Sequence, residues 1–158
     1  MRIATQAIGA MRAHAEEGWP EEVCGVLFEG PDGQVVRRMT NVQNRLHAED
    51  PARHPRDART AYQMDTRELF EVTRHGDQPG WRIVLFYHSH PEHGSYFSDT
   101  DKARALWGEG PEAEPAYPGV AYLVVSVYDH TVRDVQAYAW DEARRDFVTV
   151  PVEVVPDR

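Results

Sequence analysis

The stretch that decides the fold is Trp81-Arg82-Ile83-Val84-Leu85-Phe86-Tyr87-His88-Ser89-His90-Pro91, followed after Glu92 to Phe97 by Ser98-Asp99-Thr100-Asp101. Trp81 to Tyr87 is an apolar run of strand length that ends on His88. Side chains at i and i+2 of a strand share a face, so the imidazoles of His88 and His90 can converge on one point. Pro91 stops the strand directly afterwards. Ser98 stands three residues before Asp101, a helix-start pattern, and the helix continues through Lys102 to Trp107. Asp101 then lies in the first helical turn, where its carboxylate can project toward the histidines.

Upstream, Ile3, Ala7, Ile8, Met11 and Ala15 follow a period near 3.6, so Ile3 to Glu17 reads as a helix closed by Gly18 and Pro20. Val23 to Phe28 reads as a buried strand, Pro31-Asp32-Gly33 as a turn, and Gln34 to Met39 as the hairpin partner. Asn41 to Thr60 is polar, rich in Arg, His and Pro, and reads as a long loop. Ala61 to Met64 reads as a short strand. Asp65 caps a helix to about His75, with Glu68 completing a capping box. Downstream, Gly108 to Gly119 reads as an acidic flexible loop. Ala121 to Tyr128 and Val132 to Trp140 form a hairpin around Asp129-His130, and Phe147 to Val155 is a last strand. This order implies an α/β domain, three-layered or wrapped around a mostly antiparallel sheet.

The chain has 158 residues, which predicts one domain spanning 1–158. A chain of this length buries about 70% of its unfolded surface and folds without disulfides. Cys24 is the only cysteine, so the expected compartment is reducing, the cytoplasm. No apolar stretch approaches the roughly 18–20 residues of a membrane span. Met1 to Ala10 lacks the basic and apolar regions of a signal peptide. Seventeen basic residues against 26 acidic give a net charge of −9, which disfavours nucleic acid as a partner.

Two imidazoles and a carboxylate form a three-ligand zinc set that leaves the fourth position to water, the arrangement of a catalytic site. Zinc lowers the pKa of such a water from 15.7 to about 7. A general base is still needed, and Glu21 and Glu22 stand just before the first buried strand.

Glu22-Val23-Cys24-Gly25, then His88-Ser89-His90-Pro91, then Ser98-Asp99-Thr100-Asp101 resembles the JAMM (MPN+) zinc metallopeptidase family in its small stand-alone bacterial form. The resemblance implies the JAMM (cytidine-deaminase-like) three-layer domain, a curved mostly antiparallel sheet flanked by helices. It implies one Zn2+ per chain held by His88, His90 and Asp101. It aligns Glu22, rather than Glu21, with the acid/base glutamate, and a one-residue shift on a strand also changes the face. Ser98 matches the serine that steadies the oxyanion, beside its possible duty as a helix cap. The implied substrate is a ubiquitin-fold sulfur-carrier protein (ThiS/MoaD-like), cut after its C-terminal Gly-Gly, either for processing or to release cysteine from a carrier–cysteine adduct. A broader deconjugating isopeptidase and a non-catalytic MPN-type scaffold are the alternatives.

The remaining candidates read as structural. Cys24 is a small buried residue rather than a nucleophile. His93 is an exposed loop residue, and His47 and His54 lie in the polar loop away from the metal. Phe86, Tyr87 and Trp81 belong to the core.

Overall fold

The computed structural model describes residues Met1 to Arg158. The main sheet has six strands in the order β3-β2-β4-β7-β8-β9, where β2 is Cys24–Gly30, β3 Gly33–Met39, β4 Arg82–Pro91, β7 Ala121–Tyr128, β8 Thr131–Asp141 and β9 Asp146–Val150. Only β4 and β7 run parallel; the other neighbours are antiparallel. Helix α1 (Thr5–Gly18) covers one face, while α3 (Thr66–Gly76) and α4 (Asp99–Ala105) lie with the other. The expected three-layer α/β arrangement is present.

Alternation along the strands builds two cores. Toward α1, Leu27, Leu85, Leu123 and Val125 pack with Ile3, Ala7 and Met11. On the opposite face, Val26, Phe28, Phe86, Tyr122 and Val124 pack with Val72 of α3 and Ala105 of α4. Gly25 in β2 is required by a close approach, because a Cβ there would overlap the Tyr87 ring. Cys24 is fully buried on the second face, and burial pushes its thiol up to about 12, which leaves it unreactive.

Several elements differ from the sequence expectation. Ile3 fits the helical period but lies in a strand, β1 (Arg2–Ala4), because it pairs in parallel with β10 (Glu153–Val155). The expected last strand is therefore two, broken at Pro151, which has no amide hydrogen to continue a ladder. The polar loop contains a short helix, α2 (Gln43–Glu49), whose first amide is held by the Asn41 side chain at 3.0 Å. Ala61 to Met64 forms only an isolated bridge from Met64 to Asn41. The acidic segment contains a 3₁₀ turn (Gly110–Glu112) and β6 (Glu114–Pro115), which pairs with β5 (Leu106–Trp107). Asp65 does cap α3, accepting the Glu68 amide at 3.0 Å. Glu68 does not reciprocate; its carboxylate takes the amide and hydroxyl of Thr40, each at 2.7 Å, tying α3 to the end of β3.

Candidate active site

β4 stays in the sheet through His88 and His90 before Pro91 ends it, so both imidazoles leave one face at the carboxyl end of the strand. Ser98 then starts α4, where its hydroxyl oxygen accepts the Asp101 amide at 3.0 Å while the Ser98 amide donates to Asp101 Oδ2 at 3.0 Å. This reciprocal cap fixes the Asp101 carboxylate against the strand. His88 Nε2 lies 3.1 Å from His90 Nε2 and 3.2 Å from Asp101 Oδ2, and His90 Nε2 lies 3.4 Å from the same oxygen. All three residues are buried.

That triangle fits a metal ion. Three donors each about 2.0–2.1 Å from one tetrahedral zinc stand roughly 3.3 Å apart. The His90 tautomer is set by its Nδ1, 2.8 Å from the Gly94 carbonyl; in the neutral ring this nitrogen donates, leaving the Nε2 lone pair facing the centre. Burial lowers the His88 pKa despite Asp101, favouring the neutral ligand form. Burial also acts to lower that of His90, but the hydrogen bonds its protonated ring donates to the Asp101 carboxylate and the Gly94 carbonyl prevail and raise it. For Asp101, burial is outweighed by the two imidazoles and the Ser98 amide, which hold its carboxyl well below the ordinary range.

The register of the first sheet pair brings in the glutamate. Cys24 lies directly opposite His88, and the next bond, from the Ser89 amide to the Val23 carbonyl at 3.0 Å, carries the pairing outward. Glu22 therefore falls beside His90 on the face that carries both imidazoles. Its amide is tied to the Ala58 carbonyl at 2.7 Å, and its carboxyl is buried. Burial pushes that carboxyl up to about 8, while His90 draws it down and Asp101 pushes it further up. Glu21 is exposed, its carboxylate accepting from the Asn44 amide group at 2.9 Å, away from the centre.

Glu22, His90, Ser98 and Asp101 line one cavity of about 310 Å³. Residues 4–145 match the family described as prokaryotic homologs of the JAB domain. The chain belongs to the prokaryotic JAB family. Among JAB relatives, the desampylase of Haloferax volcanii is 34% identical over 130 residues, covering 80% of this chain and 80% of that protein. The CysO-cysteine peptidase of Mycobacterium tuberculosis is 29% identical over 136 residues, covering 86% of this chain and 80% of its own. A solved protein from Desulfitobacterium hafniense shares the fold, with a TM-score of 0.68 at 19% identity over 99% of this chain and 94% of that one. One from Salinibacter ruber superposes with a TM-score of 0.58 at 26% identity, over 99% and 92% of the two chains. The relatives named as peptidase and desampylase place hydrolysis within the JAB family.

Further residues surround this JAB centre. Arg56 and Thr60 reach the cavity from the segment expected to be a long polar loop, Tyr62 from the one expected to be a short strand, and His93 and Tyr96 from the loop after Pro91. Tyr62 stacks on His88 with ring centroids 4.5 Å apart. Arg104 also lines the cavity, and its place three residues after Asp101 on a helix was a readable signal. His93 is exposed as expected, yet at the rim of the cavity. His47 and His54 stay outside it, joined by a 2.6 Å bond between His47 Nδ1 and the His54 carbonyl.

Proposed function

We propose that this JAB protein is a zinc-dependent peptidase, one catalytic domain holding one Zn2+, that hydrolyses the amide bond after the C-terminal Gly-Gly of a ubiquitin-fold sulfur-carrier protein. The product is either a trimmed carrier or cysteine released from a carrier–cysteine adduct. The observation that carries this reading is the convergence of His88 Nε2, His90 Nε2 and Asp101 Oδ2, within 3.1–3.4 Å of one another, in the cavity that holds Glu22 and Ser98. The similarity to the CysO-cysteine peptidase supports the substrate class.

His88, His90 and Asp101 would hold the ion, which when bound supplies a Lewis acid and a water of lowered pKa. Glu22 takes the proton of the attacking water, and its buried carboxyl, poised near neutrality, then returns a proton to the leaving nitrogen. The water oxygen bonds to the glycine carbonyl carbon as the carbon–nitrogen bond breaks. Ser98 accepts the Asp101 amide through its oxygen, so its hydroxyl hydrogen remains available to the developing oxyanion. The extended carrier tail would lie along a strand edge beside the site.

Mass spectrometry of a carrier–cysteine adduct incubated with the zinc-loaded protein tests the reading. Release of cysteine by the wild type and none by Glu22→Ala is expected. No cleavage by a folded, zinc-bound wild type counts against the function, and cleavage retained in Glu22→Ala overturns the role of Glu22.

A further inference from the structure

Two cationic side chains face the catalytic cavity without an anionic partner. Arg56 and Arg104 line the same cavity of about 310 Å³ as Glu22, His90 and Ser98. Neither takes part in any ion pair of the molecule, although acidic residues outnumber basic ones 26 to 17. Each is nevertheless held in place. Arg56 donates to the Thr60 carbonyl at 3.0 Å, and its own carbonyl accepts from the Gln43 side chain at 2.8 Å. Arg104 donates to the Tyr62 carbonyl and lies 5.5 Å from the centroid of the Tyr62 ring, which in turn stacks on His88. A guanidinium has five N–H donors in a planar fork, so most donors of both residues remain free.

We infer that Arg56 and Arg104 recognise the free α-carboxylate of the leaving residue, making the protein selective for release of a single C-terminal amino acid over cleavage of a lysine isopeptide. This rests on the proposed peptidase function and specifies its substrate. When one amino acid leaves, its carboxyl carbon is two bonds from the scissile nitrogen. The carboxylate must therefore occupy the cavity in which Glu22 protonates that nitrogen. When a lysine side chain leaves, the nitrogen is followed by methylenes and no anion enters. Charge-assisted, fork-shaped pairing then favours the first substrate, while the second leaves the guanidinium groups without an anion. Both arginines also draw the Glu22 carboxyl downward, consistent with positions near the proton-transfer group.

The test compares a synthetic peptide ending in Gly-Gly-Cys, as the free acid and as the C-terminal amide, on the zinc-loaded full chain. Cleavage is followed by mass spectrometry on the active protein, and Kd is measured by calorimetry on the inactive Glu22→Gln variant. The acid is expected to exceed the amide by about tenfold or more in kcat/KM and in affinity. That ratio should collapse toward one in Arg56→Gln/Arg104→Gln, recover in part with lysine at both positions, and persist in Arg53→Gln, which lies outside the cavity. A ratio near one in the wild type, or one unchanged by the double glutamine variant, overturns the carboxylate assignment alone. An affinity ratio that behaves as expected without cleavage of either peptide supports the arginine pair and counts against the peptidase reading. Absence of both binding and cleavage overturns the two together.

Discussion

The two faces of the central sheet are made by the same strands and put to opposite uses. On β4, Leu85 and Tyr87 point toward α1, while Phe86 points the other way into the aromatic core and is followed on that face by His88 and His90. β2 behaves likewise, with Leu27 toward α1 and Val26 and Cys24 on the site face, leading to Glu22. The α1 face is closed almost entirely by aliphatic packing. The other is packed for most of its length and becomes polar only at the carboxyl end of β4, where α4 and the segment around Tyr62 enclose it. Both faces carry a core, but the chemistry is confined by side-chain parity to one end of one face, and substitutions on the α1 face should leave it largely intact.

The largest effect belongs to the site face: His88→Ala should abolish turnover and remove bound zinc, read by metal analysis, while the far-ultraviolet circular dichroism stays native. Glu22→Gln should lower kcat by about 10²–10⁴-fold with zinc retained; loss of the metal instead would mean that Glu22 is a ligand. On the α1 face, Leu123→Ala should cost about 2–5 kcal/mol in denaturant unfolding and leave zinc affinity unchanged. A coupled loss of zinc affinity would break the separation of the faces.

The pH dependence sharpens the same contrast. In the metal-free protein Glu22 is raised from 4.5 to about 8 by burial, so the folded state keeps its proton longer than the unfolded chain. The stabilising effect of that proton is complete below pH 4.5 and is lost as pH rises through about 8. The stability of wild type relative to Glu22→Gln should therefore fall across that window, and a flat difference would contradict the buried carboxyl. The smallest effect is expected from Asp65→Ala, about 1 kcal/mol for the lost cap of α3, with no change in turnover.

Much of this was legible because it is local. The His88/His90 spacing depends on strand parity and the Ser98–Asp101 cap on one helical turn, whereas the choice of Glu22 over Glu21 rests on the family resemblance, because the pairing of β2 with β4 that sets Glu22 beside His90 is long-range. Ile3 misled because its helical period was overruled by pairing with Val154, from the far end of the chain. α2 carries one large apolar residue, Leu46, so periodicity had nothing to detect, and long-range contacts such as Gln43 to Arg56 hold it in place. Arg56 is tied to α2 by such a contact and Tyr62 is set by its stacking on His88 and its contact with Arg104, whereas Arg104 was within one helical turn of Asp101.

One oxygen, Asp101 Oδ2, accepts the amide that begins α4 and also faces both imidazoles. α4 has only seven residues, too few to persist by its own hydrogen bonds. Ion uptake at the histidines and order in that helix are therefore linked equilibria. Backbone amides from Lys102 to Ala105 should exchange with deuterium more slowly as the ion is titrated in, making α4 a built-in gauge of occupancy.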